Sequence, residues 1–170
     1  MTESEREEFR AYVAARGAAL LRTAVLITGD RGLAEDLVQT ALVRTYGSWG
    51  RIQRREAVDA YVRRVMVNTY VNWWRRRWRG ELPTESLPER PAPDALSRVD
   101  DGLSLHDALA RLPRRMRAVV VLRYYDDLPD REIAAILGCS TGTVRSQASR
   151  ALDKLRSDGA LALDFERGGR

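Results

Sequence analysis

Polar and basic side chains near the C-terminal end of the chain are spaced to share one face of a helix. Apolar residues recur at helical spacing from Val144 to Leu155 and predict a buried stripe. The opposite face then carries Arg145, Ser146, Ser149, Arg150 and Asp153. Guanidinium and hydroxyl groups on one helix face are suited to contact phosphates and base edges in the major groove of DNA. The pattern therefore indicates a surface that reads duplex DNA, with a merely solvated helix face as the alternative.

Two short helices separated by a glycine turn position this surface. The first helix draws its apolar contacts from Ile133, Ala134, Ile136 and Leu137. Gly138 can adopt the positive φ that ends this helix, and Ser140 or Thr141 can cap the next one with a side-chain oxygen. A helix, a tight turn and a second helix predict a helix-turn-helix.

The same turn also matches a hydrolase motif. Gly138-Cys-Ser-Thr-Gly142 has the G-x-S-x-G spacing of a nucleophile elbow. That motif requires a preceding strand and a later histidine, whereas here a helical pattern precedes it and the only histidine, His106, comes earlier. We therefore interpret the match as chance.

A second basic region lies in the middle of the chain. Residues 51–80 contain nine arginines against Glu56 and Asp59, an excess of seven positive charges, whereas the whole chain carries a formal net charge of +5. Such a patch attracts a polyanion through counterion release. Charge alone does not distinguish between a patch that binds RNA, DNA or an anionic lipid surface and a patch that is only solvated.

Within this region a long helix is predicted from about Ala57 to Arg79. Its apolar side is formed by Val58, Val62, Val65, Met66, Thr69 and Trp73. A neighbouring stripe carries Arg64, Asn68, Asn72, Arg75 and Arg79. Arginines can meet phosphates and asparagines can bond base edges, so this stripe is a second candidate nucleic-acid surface, again with solvation as the alternative. Of Trp74 and Trp78, we expect one to pack and the other to be exposed.

Two further helices are predicted before this region. The first runs from about Glu5 to Ile27 and stops at Gly29. Asp30 is placed to cap a second helix that starts near Arg31. The second helix turns Leu33, Leu37, Val38, Ala41 and Leu42 inward and leaves Asp36, Gln39, Thr40 and Arg44 mainly outside. Glycines between residues 47 and 50 break the pattern, and residues 51–55 follow as a basic loop.

The composition changes between residues 80 and 102, where four of the six prolines and an excess of acidic residues occur. Proline removes backbone donors and blocks helices, so we expect an extended linker. Beyond it, a short helix from Leu105 ends at Pro113, and another runs from Arg114 to about Tyr125 before the helix-turn-helix. The expected fold is all-α, with domains at residues 1–80 and 103–170 joined by a Pro-rich linker at 81–102.

Composition also argues against several classes of protein. We find no run of about 18 apolar residues and therefore expect no membrane span. The acidic N-terminus is unlike a secretory signal, so we expect a cytoplasmic protein. One cysteine and one histidine allow neither an internal disulfide nor a zinc site, so we expect no metal and no cofactor. Cys139 is interpreted as a packing residue in the turn.

Three segments together resemble a known family, the extracytoplasmic-function (ECF) sigma factors of bacterial RNA polymerase. Ala34–Tyr46 is similar to the family's segment that docks on the clamp of the polymerase large subunit. Tyr61–Asn72 resembles its downstream-promoter-element helix, and Arg123–Ala151 resembles its upstream-element reader. The resemblance covers about residues 5–156, in the expected order and with a Pro-rich segment between the two blocks.

The resemblance implies a role for each candidate residue. Asp36 and Gln39 would contact the polymerase clamp, with Leu37 and Val38 fixing the helix. Residues of the third helix would bind the downstream element: Arg64, Asn68, Asn72 and Arg75. The loop from Trp49 to Glu56 would capture a flipped base. The upstream element would be bound by Arg145, Ser146, Ser149 and Arg150.

The chain departs from the family pattern at two positions. Pro129 stands where a capping serine is frequent, so Asp130 would take over the cap or the helix would start later. Gln147 stands where a basic residue is frequent, which would weaken a backbone contact.

The implied partners are the core polymerase (clamp and flap), promoter DNA and an anti-sigma protein. The protein would catalyse no reaction. The alternative is a transcriptional regulator that binds duplex DNA without polymerase, which would normally need a dimer interface or a ligand domain. A third class, an RNA-binding antiterminator, would leave the helix-turn-helix without a role.

Overall fold

The computed structural model describes residues 2–52, 56–78 and 105–158, and every regular element in these ranges is helical. The N-terminal half contains α1 (Glu3–Thr28), α2 (Arg31–Ser48), a 3-10 turn (Trp49–Arg51) and α3 (Glu56–Trp78). The C-terminal half contains α4 (Leu105–Arg111), α5 (Arg114–Val120), a π-helical turn (Val121–Tyr125), α6 (Asp130–Leu137) and α7 (Thr141–Ser157). The all-α class is thus confirmed, while the linker predicted at 81–102 lies outside the described residues.

Local caps fix the ends of the first two helices. Thr2 and Glu5 form a capping box, in which Glu5 N–H donates to Thr2 Oγ1 and Thr2 N–H donates to Glu5 Oε2. Gly29 ends α1 with a φ of +72°. The carboxylate of Asp30 accepts the N–H of Leu33 at 2.7 Å and starts α2. The predicted stop at Gly29 and cap at Asp30 are both confirmed.

The helices α1, α2 and α3 enclose an apolar core. It contains Leu20, Ala24, Ile27, Leu37, Ala41, Val58, Val62 and Met66. The predicted break at residues 47–50 is confirmed, because α2 ends at Ser48 and a 3-10 turn follows. In this turn Trp49 is buried, and its ring meets Phe9 edge-to-face with ring centroids 5.0 Å apart.

Helix α3 is buried on two sides, not one. Val58, Val62, Met66 and Thr69 are buried as predicted. Val67 and Tyr70, outside the predicted apolar side, are also 1% and 2% exposed. They share a stripe with Arg63 at helical spacing, and Arg63 bonds Asp126 of the C-terminal half. Helix α3 also contacts α6, so the second buried face is the one turned to the C-terminal half.

The C-terminal half differs from prediction in one helix. The helix expected from Arg114 to Tyr125 is α5 followed by a π turn, in which Asp126 N–H donates to Val121 O five residues earlier. In and just after α4, Ala108, Leu109 and Leu112 are buried, whereas Leu105 at its start is 54% exposed.

Helices α6 and α7 form the predicted helix-turn-helix. Gly138 ends α6 with a φ of +65°, and Ser140 Oγ accepts the N–H of Thr143 at 3.1 Å to cap α7. Of the two candidate caps, Ser140 is therefore the one used. Cys139 is half-buried and packs against the core.

Helix α1 is long and apolar enough, by length and composition alone, to cross a membrane. The core helix of a soluble protein passes the same test, and α1 buries Leu20, Ala24 and Ile27 in the core. Its composition is therefore weak evidence for a span.

Candidate nucleic-acid and polymerase-binding surfaces

The upstream-element candidates lie together on the open side of α7. Val144, Ala148, Ala151 and Leu155 are buried and anchor the helix. Arg145, Ser146, Ser149 and Arg150 are all exposed, as predicted. The Ser146 hydroxyl donates to Thr143 O at 3.0 Å, which leaves its oxygen as an acceptor. The helix-turn-helix thus presents one polar, basic face that is rigidly seated on the core.

Asp130 fixes the position of one arginine on this face. Its carboxylate forms an ion pair with Arg123 Nε at 3.3 Å and accepts a hydrogen bond from Arg145 Nε at 3.2 Å. The expectation that Asp130 caps α6 or that α6 starts later is wrong, because α6 begins at Asp130 itself and the preceding Pro129 makes no side-chain cap. The carboxylate is engaged with the two guanidinium groups instead. A DNA phosphate or base edge must therefore compete with Asp130 for Arg145.

Gln147 lies on the inner edge of this face. It is half-buried, and its Oε1 atom is buried without a hydrogen-bond partner within the described chain. An amide directed inward makes a poor substitute for a basic residue that contacts a DNA backbone.

The downstream-element candidates form a stripe along α3. Arg64, Asn68 and Arg75 are exposed, and Asn72 is half-buried. Arg75 Nη2 donates to Asn72 Oδ1 at 2.6 Å, so these two side chains support each other. The described part of the chain does not include Arg79 or the side chains of Trp74 and Trp78. The place of Arg79 on the stripe and the exposure of the two tryptophans therefore stay predictions. Trp73 is half-buried against the core.

A partly exposed ionic network holds α3 against α1. Tyr12 Oη donates to Asp59 Oδ1 at 2.8 Å, and Arg16 forms an ion pair with the same carboxylate. Burial raises the pKa of Asp59, but hydrogen bonds from Arg16 and Tyr12 outweigh it, so the pKa is lower than usual. Burial, followed by the bond to Asp59, raises the pKa of Tyr12. Asp59 therefore stays ionised and anchors the start of α3.

The polymerase-binding candidates on α2 divide into two groups. Asp36 and Gln39 are exposed, whereas Leu37 and Val38 are 0% and 8% exposed and belong to the core. This is the division expected for two contact residues and two residues that fix the helix. Sequence reasoning missed Val43, which is 71% exposed and lies at helical spacing from Asp36 and Gln39. The sequence feature that could have revealed Val43 is that this apolar residue was not among the α2 residues predicted to face inward.

A cavity of about 120 Å³ lies beside the 3-10 turn, where the sequence predicted a base-capturing loop. It is lined by Glu5, Glu8, Trp49, Gly50, Ile52 and Val58. Cavities of about 150 Å³ can accommodate benzene, so the volume is of the order of one flat ring. Glu5 and Glu8 were not predicted, because they come from the distant start of α1. Residues 53–55 of the predicted loop lie outside the described ranges.

Two family models match the chain. Residues 12–80 match sigma-70 region 2, and residues 102–155 match sigma-70 region 4. The RNA polymerase sigma-E factor of Streptomyces coelicolor is 48% identical over 89% of this chain and 85% of its own length. The ECF RNA polymerase sigma factor SigL of Mycobacterium tuberculosis is 32% identical over 86% of each chain.

Solved structures share the fold of both halves. The sigma factor RpoE of Bartonella quintana, solved with the anti-sigma factor NepR, aligns with a TM-score of 0.71 and 24% identity over 93% of this chain and 99% of its own. CnrH, solved with the cytosolic domain of CnrY, aligns with a TM-score of 0.64 and 24% identity over 89% and 87% of the two chains.

A helix-turn-helix half and a three-helix half carrying a basic helix define a transcription-initiation protein of the sigma type. The chain belongs to the sigma-70 family of RNA polymerase sigma factors, in its extracytoplasmic-function group. A regulator that acts without polymerase is not favoured.

Proposed function

We propose that this sigma factor reads an upstream promoter element with α7, reads a downstream element with the α3 stripe, and assists melting there. The observation that carries the assignment is the pair of separate polar surfaces on two halves of one chain: Arg145 to Arg150 on α7, and Arg64 to Arg75 on α3. One chain with two such surfaces can grip two sites on one promoter when polymerase sets their spacing.

The upstream contact is made to duplex DNA. The α7 face enters the major groove, where Arg145 and Arg150 reach base edges or phosphates and Ser146 and Ser149 accept or donate single hydrogen bonds. Direct contacts of this kind give sequence preference.

The downstream contact is made to a strand that has left the duplex. Asn68 and Asn72 bond exposed base edges, while Arg64 and Arg75 neutralise phosphates. The cavity beside Trp49 receives a flipped base, because its volume suits one ring and the carboxylates of Glu5 and Glu8 accept from an exocyclic amine. Holding a flipped base offsets part of the few kcal/mol, roughly, that unstacking costs.

The polymerase contact lies on α2. Asp36 and Gln39 bind the clamp of the large subunit, and the C-terminal half binds the flap. Val43 adds an apolar contact, since a valine this exposed at helical spacing from both residues gains from being covered.

The remaining assignments follow from this role. The protein acts in the cytoplasm with the core enzyme, uses no cofactor and has no catalytic activity of its own. RpoE and CnrH were each solved with an anti-sigma factor, and we propose that an anti-sigma protein also holds this chain inactive. Residues 1–80 and 103–170 act as its two functional domains, joined by residues 81–102.

Run-off transcription with purified core polymerase tests the proposal. On a library of genomic fragments from the source organism, adding the protein should produce specific transcripts that core enzyme alone does not make. Failure of the purified chain, free of any inhibitor, to bind core polymerase would contradict the proposal. Specific duplex binding without core would favour the regulator, and specific RNA binding would favour the antiterminator.

A further inference from the structure

A carboxylate at the start of α6 connects both helices of the helix-turn-helix to the π turn. Asp130 is the first residue of α6, and its side chain is 18% exposed. Its Oδ2 atom accepts a hydrogen bond from Arg145 Nε of α7 at 3.2 Å. Its Oδ1 atom lies 3.3 Å from Nε of Arg123 in the π turn. We call these three residues, Asp130, Arg123 and Arg145, the Asp130 cluster.

The cluster lies where the helix-turn-helix would meet two different parts of DNA. Residues near the N-terminal end of the second helix of such a motif contact base edges, while the first helix crosses the phosphate backbone. Arg145 is the fifth residue of α7, and Asp130 belongs to the first turn of α6. The side chain of Arg145 is 69% exposed. A phosphate and a base edge are therefore alternative acceptors for its guanidinium group.

These two acceptors differ in charge. A phosphate is an anion, so bringing it to Arg145 also brings it close to the carboxylate of Asp130, and like charges repel. A guanine edge is neutral and offers two acceptors, O6 and N7, that match the fork of an arginine. Both acceptors draw Arg145 away from Asp130, but only the phosphate places a second negative charge beside the carboxylate. Asp130 therefore weakens phosphate contacts of Arg145 more than guanine contacts.

Arg123 allows Arg145 to leave and return. When Arg145 turns to DNA, Asp130 keeps its ion pair with Arg123, so the partly buried carboxylate is not left without a counter-charge. Arg123 Cζ also lies 5.6 Å from the centroid of the Tyr124 ring, a cation–π contact that favours this position of the guanidinium group. Asp130 is thus a fixed negative charge next to a movable arginine.

The second arginine of the α7 face is not restrained in this way. Arg150 is exposed, and within the described ranges it makes no hydrogen bond or ion pair. A phosphate or a base edge can bind Arg150 without displacing it from a carboxylate. Arg145 and Arg150 are therefore not equivalent as readers of DNA.

We propose that Asp130 is a specificity-determining residue of the upstream reader: it disfavours contacts between Arg145 and phosphates, so that Arg145 preferentially binds a guanine. Asp130 acts through Arg145 and is a positioning residue. The inference rests on the proposed function of α7. It adds the base that Arg145 reads and the residue that restricts the choice.

Promoter binding, measured for each upstream base pair, tests this proposal. Holoenzyme made with the full chain is titrated against a promoter found by run-off transcription and against variants with each upstream pair changed. The pair read by Arg145 is the one at which Arg145→Ala loses discrimination. In the parent it should be a G·C pair worth about five- to 150-fold in affinity. Asp130→Asn should lower this discrimination about two- to fivefold, the range of an exposed ion pair, and leave the other pairs unchanged.

Salt dependence measures the phosphate contact. Each phosphate that a protein cation neutralises adds about 0.9 to the slope of log affinity against log salt concentration. On a promoter whose Arg145 pair has been changed, Asp130→Asn holoenzyme should show a slope steeper than that of the parent by up to about 0.9. The contribution of core polymerase cancels in this comparison. Adding Arg145→Ala to Asp130→Asn should abolish the difference, which a purely structural effect of Asp130 would not require.

The chain supplies a charge-matched control on α7. Asp153 is exposed and pairs with Arg156 at 3.7 Å. Asp153→Asn removes the same charge as Asp130→Asn but leaves Arg145 bonded to Asp130, so discrimination at every base pair should stay that of the parent. If Asp130→Asn lowers the helical content by circular dichroism, the neutral and smaller Asp130→Ser is measured in its place.

The outcomes separate this inference from the proposed function. Parent-like discrimination in Asp130→Asn, or an equal loss in Asp153→Asn, would overturn the role of Asp130 and leave promoter reading by α7 intact. A pair other than G·C at the position read by Arg145 would overturn the assignment of guanine. Failure of the parent holoenzyme to bind any promoter would instead overturn the proposed function, and this inference with it.

Discussion

The two reading surfaces of this sigma factor are supported in different ways. Helix α7 buries one stripe, marked by Val144 and Leu155, and leaves the rest of its surface open. Helix α3 is buried against α1 and α2 on one side and, through Val67 and Tyr70, on a second side. Its basic stripe occupies what remains. Substitutions on the open face of α7 should therefore change DNA binding without changing stability. On α3 this should hold only for residues of the exposed basic stripe, because the other sides of the helix are buried.

The largest effect is expected at the second buried face of α3. Tyr70→Ala should lower the free energy of unfolding by about 3–5 kcal/mol, because a large aromatic ring leaves a cavity in a packed site. Urea denaturation followed by circular dichroism measures this loss. Asn68→Ala, two residues away on the exposed stripe, is the control and should change stability by less than about 0.5 kcal/mol. Equal losses would remove the distinction between the two sides of α3.

On α7 the largest effect should be on binding. Arg150→Ala should cost about 1–3 kcal/mol of promoter binding, measured with holoenzyme by filter or fluorescence titration. Arg145→Ala should cost less, because Arg145 gives up its ion pair with Asp130 when it binds DNA. Both variants should retain the unfolding free energy of the parent within about 0.5 kcal/mol. Unchanged promoter selection in both would exclude α7 as the reader.

Asn68→Ala distinguishes melting from recruitment. Loss of hydrogen bonds to an exposed base should reduce open-complex formation by about tenfold, equivalent to about 1.4 kcal/mol, with little change in initial binding. Permanganate footprinting measures the open complex. A pre-melted template should restore activity, and its failure to do so would contradict a role in strand capture.

A smaller effect is expected at the cap of α7. Ser140→Ala should destabilise the chain by about 1 kcal/mol, because Thr143 N–H loses its acceptor. Thermal unfolding measures the change. Ser140→Asp retains an acceptor and should restore most of the stability, whereas an equal loss in both variants would argue against capping.

The smallest effect is a pH dependence at the anchor of α3. The lowered pKa of Asp59 means that its ionised form is favoured in the folded chain. Its contribution to stability is present above the pKa of the unfolded state and is lost as the pH falls through the lower pKa of the folded state. Asp59→Asn should therefore destabilise the chain at pH 7 and show a shrinking difference from the parent below about pH 4. Urea titrations at several pH values test this; a difference independent of pH would contradict it.

Features that depend on neighbouring residues were predictable from the sequence. The stop at Gly29, the cap at Asp30 and the turn at Gly138 and Ser140 each follow from a residue and its immediate surroundings. The exposed face of α7 was also predictable, because the apolar residues of this helix recur at one helical spacing and leave the opposite face polar.

Features that depend on distant segments were not predictable in this way. Helix α3 contacts α6 and bonds Asp126 through Arg63, and the carboxylate of Asp130 is shared between Arg123 and Arg145 on other elements. The cavity beside Trp49 needs Glu5 and Glu8 from the start of α1. A propensity has no information about a partner far away in the chain, so these features require the folded structure.

The π turn at Val121–Tyr125 makes the exact chain length at this point important. A π turn accommodates one more residue than a regular helix would. Deleting one residue there would rotate everything that follows by about 100°, and Asp126 would no longer face Thr23 and Arg63. Most surface segments accept gains and losses of single residues during divergence. This segment should not, and a related chain one residue shorter here would need a different means of joining its two halves.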